Sequence, residues 1–301
     1  MATENLITAP TTPVFRFAPS PNGLMHLGHA YSAMLNLKMA RDNNGKMLLR
    51  IEDIDTVRCT PENEKRMLED LEWIGFEWDE EPMRQSSQFE RYGSTISDLF
   101  DEAIAYPSTM SRREIAEAVE AMTANGKSWP TDPDGAPHYP GNERIMNAAE
   151  RAEVMAGEHQ YAMRLDLRTA GSMVASQLTW NESGAGPEGQ SGEIIADPAI
   201  WGDVILGRKD IPASYHLSAV LDDALQGVTH IVRGRDIFHA TSVHRLLQEL
   251  LQLPAPDYHH HDLILDEDGR KLSKSRQSTA LRHLREAGMT ASDVNRMIGL
   301  G

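Results

Sequence analysis

The sequence is short of cysteine, of basic residues relative to acidic ones, and of uninterrupted apolar runs. Its one cysteine, Cys59, cannot form an internal disulfide, which excludes a disulfide-stapled scaffold. No apolar run approaches the ~18 residues that a membrane span needs. The polar start MATENLITAPTTP lacks the basic and apolar regions of a secretory signal. Together these absences predict a cytoplasmic enzyme. With 29 Lys+Arg against 45 Asp+Glu and a formal charge of -16, the chain does not suit a general nucleic-acid coat, although a local basic face could still grip RNA. What is present is ordinary for a globular protein: 301 residues, 40% hydrophobic and 25% charged, enough for one large core or two modest ones.

From Val14 to about Tyr106 short apolar strands alternate with amphipathic helices, the pattern of a parallel sheet with crossovers. VFRFA reads as a strand, Ala30, Met34 and Leu37 share a helix face, and MLLRIEDID returns as a strand with acids at its end. Thr60 and Pro61 then form an N-cap and first-turn pair, with Met67, Leu71 and Ile74 on one face and Gly75 as a stop. Between about Tyr106 and Ala196 the alternation gives way to the helical SRREIAEAVEAMTANG, a turn-rich DPDGAPHYPGNER and a polar tract from Asn181 to Glu193, expected as a mobile loop. The α/β pattern resumes at GDVILGRKD and continues through SYHLSAVLDDALQG, VTHIVRG and VHRLLQELLQL. The expected organisation is thus an α/β domain whose halves are 1–105 and 196–255, an inserted subdomain at 106–195, and a last segment at 256–301.

The sharpest local signal is RFAPSPNGLMHLGH: a strand ends at Ala18, a Pro/Gly turn follows, and His26-Leu27-Gly28-His29 opens a helix. Histidines three apart share a helix face, Gly28 admits a close ligand, and a helix N-terminus attracts phosphate. Such a site suits a triphosphate. Alone, the two histidines could be a cap and a half-exposed ring. Near the other end, Lys271-Leu272-Ser273-Lys274-Ser275 forms a polar loop whose lysines could neutralise charge on departing phosphates, or be a solvated basic loop.

Taken together, these two elements resemble the signatures of the class I aminoacyl-tRNA synthetases, a His-Ile-Gly-His element and a Lys-Met-Ser-Lys-Ser loop. RFAPSPNGLMHLGHA, LLRIEDID, SYHLSAVLDDALQGVTHIVRGRD and the KLSKS loop look like the glutamate-specific branch over most of residues 14 to 280. The resemblance implies a Rossmann-like catalytic domain with a parallel sheet, an inserted acceptor-type subdomain and a short helical C-terminal segment. It implies an ATP-dependent ligase that forms glutamyl-adenylate, with Mg²⁺ on the phosphates. By the same resemblance, Arg16 and Arg233 match carboxylate-binding arginines and Glu52 the ammonium partner. Tyr215 matches a pocket hydroxyl, and Ala18 and Ser20 match further glutamate contacts. These types suit glutamate, whose two carboxylates want cations and whose ammonium wants a carboxylate. His26, Gly28 and His29 would hold ATP, and Lys274, with Lys271 beside it, would stabilise the leaving pyrophosphate. Asp222 and Asp223 could be magnesium ligands, but their position within SYHLSAVLDDALQG also fits helix or loop anchors, and they are not counted among the site residues.

The chain ends 26 residues beyond Ser275, too few for the helical anticodon-binding domain of enzymes that charge tRNA-Glu. The expectation is therefore a truncated paralogue that transfers glutamate to the queuosine base in the anticodon loop of tRNA-Asp. A compact enzyme that esterifies a tRNA 3′ end is the alternative. A nucleotidylyltransferase would leave the glutamate-pocket residues unexplained, and a non-catalytic derivative would not need His26, His29 and Lys274 together. Many relatives hold zinc in the inserted subdomain. Here Ser108, Met110 and Glu143 stand where cysteines would be and only Tyr139 remains, so no zinc is expected. The run Tyr258-His259-His260-His261 points its side chains in alternating directions and is not expected to hold a metal. From Arg270 onward, Arg270, Lys271, Lys274, Arg276, Arg282, Arg285 and Arg296 face two acids, Glu286 and Asp293, a candidate phosphate-contacting face. No protein partner is evident.

Overall fold

The structure, a computed structural model, describes residues 12–124, 126, 128–158, 160–264 and 280–301. Lys271 and Lys274 lie outside the described residues. The chain runs β1 (Val14–Phe17), α1 (Leu27–Asp42), β2 (Lys46–Ile51), α2 (Pro61–Trp73), β3 (Met83–Arg84), α3 (Phe89–Asp101), β4 (Ala105–Ser108) and α4 (Arg112–Thr123). It continues with α5 (Ala148–Ala156), β5 (Ala162–Leu165), α6 (Leu167–Met173), β6 (Thr179–Glu182), β7 (Gly192–Ile195) and β8 (Ile205–Arg208). The last elements are α7 (Tyr215–Leu225), β9 (His230–Gly234), α8 (Ala240–Leu250), β10 (Asp257–His261), α9 (Leu281–Glu286) and α10 (Ala291–Met297).

A seven-stranded sheet has the order β3-β2-β1-β9-β10-β6-β7, parallel throughout except for the β6–β7 pair. Phe15, Leu49 and Ile51 are fully buried against α1 and α2, so the strands facing helices are apolar on that side. The strand order reverses between β1 and β9. In an open α/β sheet that reversal leaves a crevice at the carboxyl ends of the strands, where ligands bind. Ala18 and Ser20 follow β1 there, and Arg233 and Gly234 end β9.

The α/β class and the helices over SRREIAEAVEAMTANG and VHRLLQELLQL agree with the sequence, and SYHLSAVLDDALQG forms a helix as well. Two segments differ. The tract from Asn181 to Glu193 is not a loop throughout: its ends form an antiparallel β6–β7 hairpin that pairs in parallel with β10 through Tyr258 and Glu182. The composition misleads because the Glu182 carboxylate is buried and answered by His260 instead of by water. GDVILGRKD does not rejoin the large sheet; β8 pairs antiparallel with β5 in the three-stranded sheet β4-β5-β8. Strand pairing therefore crosses the expected boundary at 195, with β6 and β7 in the large sheet and β8 in the small one.

The helices α9 and α10 dock Leu281, Leu284, Val294 and Ile298 on the core around α1 and α2. Of the seven basic residues in the last segment, the described ones are each paired. Arg282 bonds Glu286 at 2.8 Å, Arg285 lies 3.5 Å from Asp70, and Arg296 pairs with Asp293. These three are paired within the fold but keep 31–71% of their side chains exposed, Arg296 the most.

Asp70 also gives the molecule a pH dependence. Burial under α9 raises its pKa to about 6, with Arg285 and Arg282 pulling the other way, and its Oδ1 makes no hydrogen bond. A carboxyl whose folded pKa lies above its unfolded value stabilises the fold below about pH 4 and loses that contribution as pH rises through 6. At about 1.4 kcal/mol per pKa unit, this amounts to at most about 3 kcal/mol. Urea unfolding at pH 4.5 and 7.5 should show that Asp70→Asn is relatively more stable than the wild type at the higher pH. An identical difference at both pH values would contradict the assignment. Among the described residues, no helix is long and apolar enough to cross a membrane.

Candidate active site

The first wall of the site is built by the turn into α1. His26 is its N-cap: Nδ1 accepts from the Gly28 amide at 3.1 Å, while His29 Nδ1 accepts from the His26 amide at 3.1 Å. This is a capping box made by two imidazoles. Because each Nδ1 is an acceptor, the neutral rings carry their protons on Nε2. The ring centroids lie 3.9 Å apart, so both donors belong to one small region at the positive end of the helix. A Cβ at Gly28 would lie 3.0 Å from the His26 ring, so a side chain there would press on the cap. Ala18, Ser20, His26, Gly28, His29 and Asp236 line a cavity of about 450 Å³ at the switch between β1 and β9.

A second cavity of about 400 Å³ adjoins it and shares Ser20 and Asn22. Its lining includes Glu52, Arg58, Gln85, Arg208 and Tyr215. Behind it lies a buried lattice of charge. Asp223 on α7 accepts from Arg16 Nε at 3.0 Å and from Arg50 Nη1 at 2.6 Å. Arg50 Nη2 bonds Glu52 at 3.3 Å. The neighbouring Asp222 accepts from Tyr92 Oη and Gln85 Nε2, both at 2.7 Å. Burial disfavours charge on Asp223, but the two guanidinium groups outweigh it and hold its pKa below the usual range. Burial raises Glu52 against the pull of Arg50 and Arg16. It likewise raises Asp222, with Arg50, Tyr92 and Gln85 opposing.

The structure thus gathers Ala18, Ser20, His26, Gly28, His29, Glu52 and Tyr215 around two connected cavities. Arg16 and Arg233 line neither; both are 5% exposed and stand one layer back. All five N–H groups of Arg233 meet protein acceptors: His260, Tyr215, His244, Thr241 and the Ile237 carbonyl. Arg233 does not pair with Asp236. Its guanidinium donates to the Tyr215 hydroxyl at 3.1 Å, so that hydroxyl can direct its own proton elsewhere. Sequence reasoning did not assign the roles of Asp222, Asp223 and Gln85 here. The signal was available as two adjacent acids inside an apolar helix, where only buried cations or donors make them tolerable.

Ser108 ends β4, and Met110, Tyr139 and Glu143 lie beside the small sheet, joined to it by hydrogen bonds. Glu143 Oε1 accepts from Tyr139 Oη at 2.6 Å and Thr109 Oγ1 at 3.0 Å, and the Met110 amide donates to Tyr139 Oη at 3.5 Å. Arg164 donates to Ser108 Oγ at 3.0 Å and lies over the Tyr139 ring. A carboxylate-centred hydrogen-bond cluster ties these segments together. Burial raises the Glu143 pKa, but the Tyr139 and Thr109 donors outweigh it and leave it lowered.

A family model described as the catalytic domain of class I tRNA synthetases (E and Q) matches residues 14–300. The chain belongs to this family. A Glutamyl-Q tRNA(Asp) synthetase of Rhodobacter capsulatus is 42% identical over 289 residues, covering 95% of this chain and 100% of that one. A glutamate–tRNA ligase of a Synechococcus species is 36% identical over 92% of this chain and 56% of its own length. The crystal structure of a glutamate tRNA ligase from Elizabethkingia meningosepticum, in complex with its amino acid, superposes with a TM-score of 0.71 at 26% identity. That match covers 93% of this chain and 54% of the ligase, so this synthetase spans about half the length of those ligases. The class I synthetase fold accounts for the site lying where β1 and β9 part.

Proposed function

We propose that this chain activates L-glutamate with ATP as glutamyl-adenylate and transfers the glutamyl group to the queuosine base in the anticodon loop of tRNA-Asp. The observation that supports activation is the pair of adjoining cavities sharing Ser20, one rimmed by the paired histidines and the other by Glu52 and Tyr215. The similarity to the Rhodobacter capsulatus glutamyl-Q tRNA(Asp) synthetase over that protein's whole length supports this acceptor. In the first step a glutamate carboxylate oxygen attacks the α-phosphorus of ATP. A carboxyl–phosphate bond forms as the bond to pyrophosphate breaks, and no protein nucleophile is needed. His26 and His29 donate from Nε2 to phosphate oxygens, and Lys274, with Lys271, meets the pyrophosphate as charge develops on it. The Tyr215 hydroxyl, backed by Arg233, faces a substrate carboxylate and Glu52 its ammonium, while Arg16 and Arg233 supply positive charge from one layer behind the cavities. Mg²⁺ would enter on the ATP phosphates. Asp222 and Asp223 do not suit it, being committed to Arg16, Arg50, Tyr92 and Gln85. The ester then forms when a queuosine hydroxyl attacks the adenylate carbonyl and AMP leaves. The need for ATP and tRNA supports a cytoplasmic location.

The test is transfer of labelled glutamate to tRNA-Asp with queuosine, tRNA-Asp lacking it, and tRNA-Glu. Label on the queuosine-containing tRNA-Asp alone is expected. Label on tRNA-Glu, or on both tRNA-Asp samples, would replace this reading with 3′-end esterification.

A further inference from the structure

A buried chain of hydrogen bonds leads from the β6–β7 hairpin to the glutamate side of the site. Glu182 sits at the end of β6 with its side chain shielded from solvent. Its Oε1 accepts from the amides of Gly184 at 2.9 Å and His260 at 2.8 Å, and its Oε2 accepts from His260 Nδ1 at 2.5 Å. The other ring nitrogen of His260, Nε2, receives Arg233 Nε at 3.0 Å. An arginine can only donate. His260 Nε2 must therefore be bare, its proton must sit on Nδ1, and Glu182 is the acceptor that keeps it there. Burial lowers the His260 pKa to about 4 despite Glu182, and the His260 contact takes Glu182 down to about 2 against burial, so the ring is neutral and the carboxylate charged near neutrality. Close approach of the hairpin is built in: a Cβ at Gly184 would meet the His260 carbonyl oxygen at 2.2 Å.

We propose that Glu182, acting through His260, is a positioning residue that fixes Arg233 and the Tyr215 hydroxyl for the glutamate substrate. The proposal rests on the glutamate-activating reading above. The ring tautomer is the link. In Glu182→Gln the amide oxygen replaces Oε1 on the two backbone amides, which turns the amide NH₂ toward His260 Nδ1. The imidazole proton then moves to Nε2 and opposes Arg233 Nε–H, donor against donor. In His260→Gln the amide oxygen can reach the former Nε2 position and still accept from Arg233.

The experiment is glutamate-dependent ATP–pyrophosphate exchange by the full chain and the two single variants and their double. Glu182→Gln should raise KM for glutamate about tenfold or more, the size of one lost hydrogen bond to a charged group. KM for ATP should hold. In the His260→Gln background, adding Glu182→Gln should raise KM for glutamate no further, because the ring that links Glu182 to Arg233 is already gone. In ¹⁵N-histidine-labelled protein, the resonance lost in His260→Gln should report Nδ1–H in the wild type and Nε2–H in Glu182→Gln. An unshifted KM in Glu182→Gln, a parallel rise in KM for ATP, an additive double variant or an unchanged tautomer would each overturn the proposal. Absence of glutamate-dependent exchange in the wild type would instead overturn the glutamate reading, and this role with it.

Discussion

His29→Ala is expected to lower the rate of glutamate-dependent ATP–pyrophosphate exchange about 10²–10³-fold, the cost of removing one preorganised donor from developing charge. The same change removes half of the capping box, because His29 Nδ1 accepts from the His26 amide. Stability should therefore fall too, by about 1 kcal/mol as for other lost caps. His29→Asn separates the two effects. Its Oδ1 can stand in for Nδ1 and cap the helix, but nothing replaces the Nε2 donor. Urea unfolding should show Asn recovering most of the stability while exchange remains as slow as in Ala. Exchange near the wild-type rate in either variant would remove His29 from the phosphate site; recovery of activity with stability in Asn would make its contribution structural.

Local chemistry explains why this wall of the site was readable from the sequence. Strand, Pro/Gly turn and HxGH occupy one short stretch, so the capping geometry and the cavity follow from neighbours. Thr60 and Pro61 cap α2 for the same reason, with the Thr60 hydroxyl accepting from the Asn63 amide at 3.3 Å. The rest depends on contacts far apart in sequence. Composition marked Asn181 to Glu193 as loop because the tract is rich in Gly, Ser and Glu, and nothing near Glu182 announces His260 as its partner. The tyrosine–histidine run was equally silent: alternation on β10 sends His260 toward Glu182 and Arg233 while His261 reaches the phosphate-side cavity. Arg16 and Arg233 were singled out as carboxylate-binding by resemblance alone. That each stands behind the cavity and is held by Asp223 or by the Tyr215–His260 group was legible only in three dimensions.

Arg50→Met should be the most damaging substitution for folding, at about 3–5 kcal/mol, because it leaves buried charge without its partner. Arg50 on β2 is fully buried. Besides Asp223 and Glu52 it bonds Gln226 at 3.2 Å, and its Nε lies 4.0 Å from Asp222. Methionine fills much of the volume but leaves three carboxyl groups with Arg16 as the remaining cation of the lattice. Against a total stability of about 5–15 kcal/mol, that loss is large. Its pH dependence has a definite sign. Without Arg50 the pKa values of Asp223 and Glu52 rise in the folded state, and a raised carboxyl pKa means stability lost as pH increases. The deficit relative to wild type should therefore be smaller at pH 5 than at pH 7.5 in urea unfolding. Adding Asp223→Asn should recover part of it at pH 7.5, since the residual cost is then polar rather than ionic. A deficit below about 1 kcal/mol, or one independent of pH, would mean that water or rearrangement already screens the lattice. Because Asp223 is shared by Arg50 and Arg16, the same variants link folding to the site: whatever frees Asp223 from Arg50 also changes how firmly Arg16 is held behind the glutamate pocket.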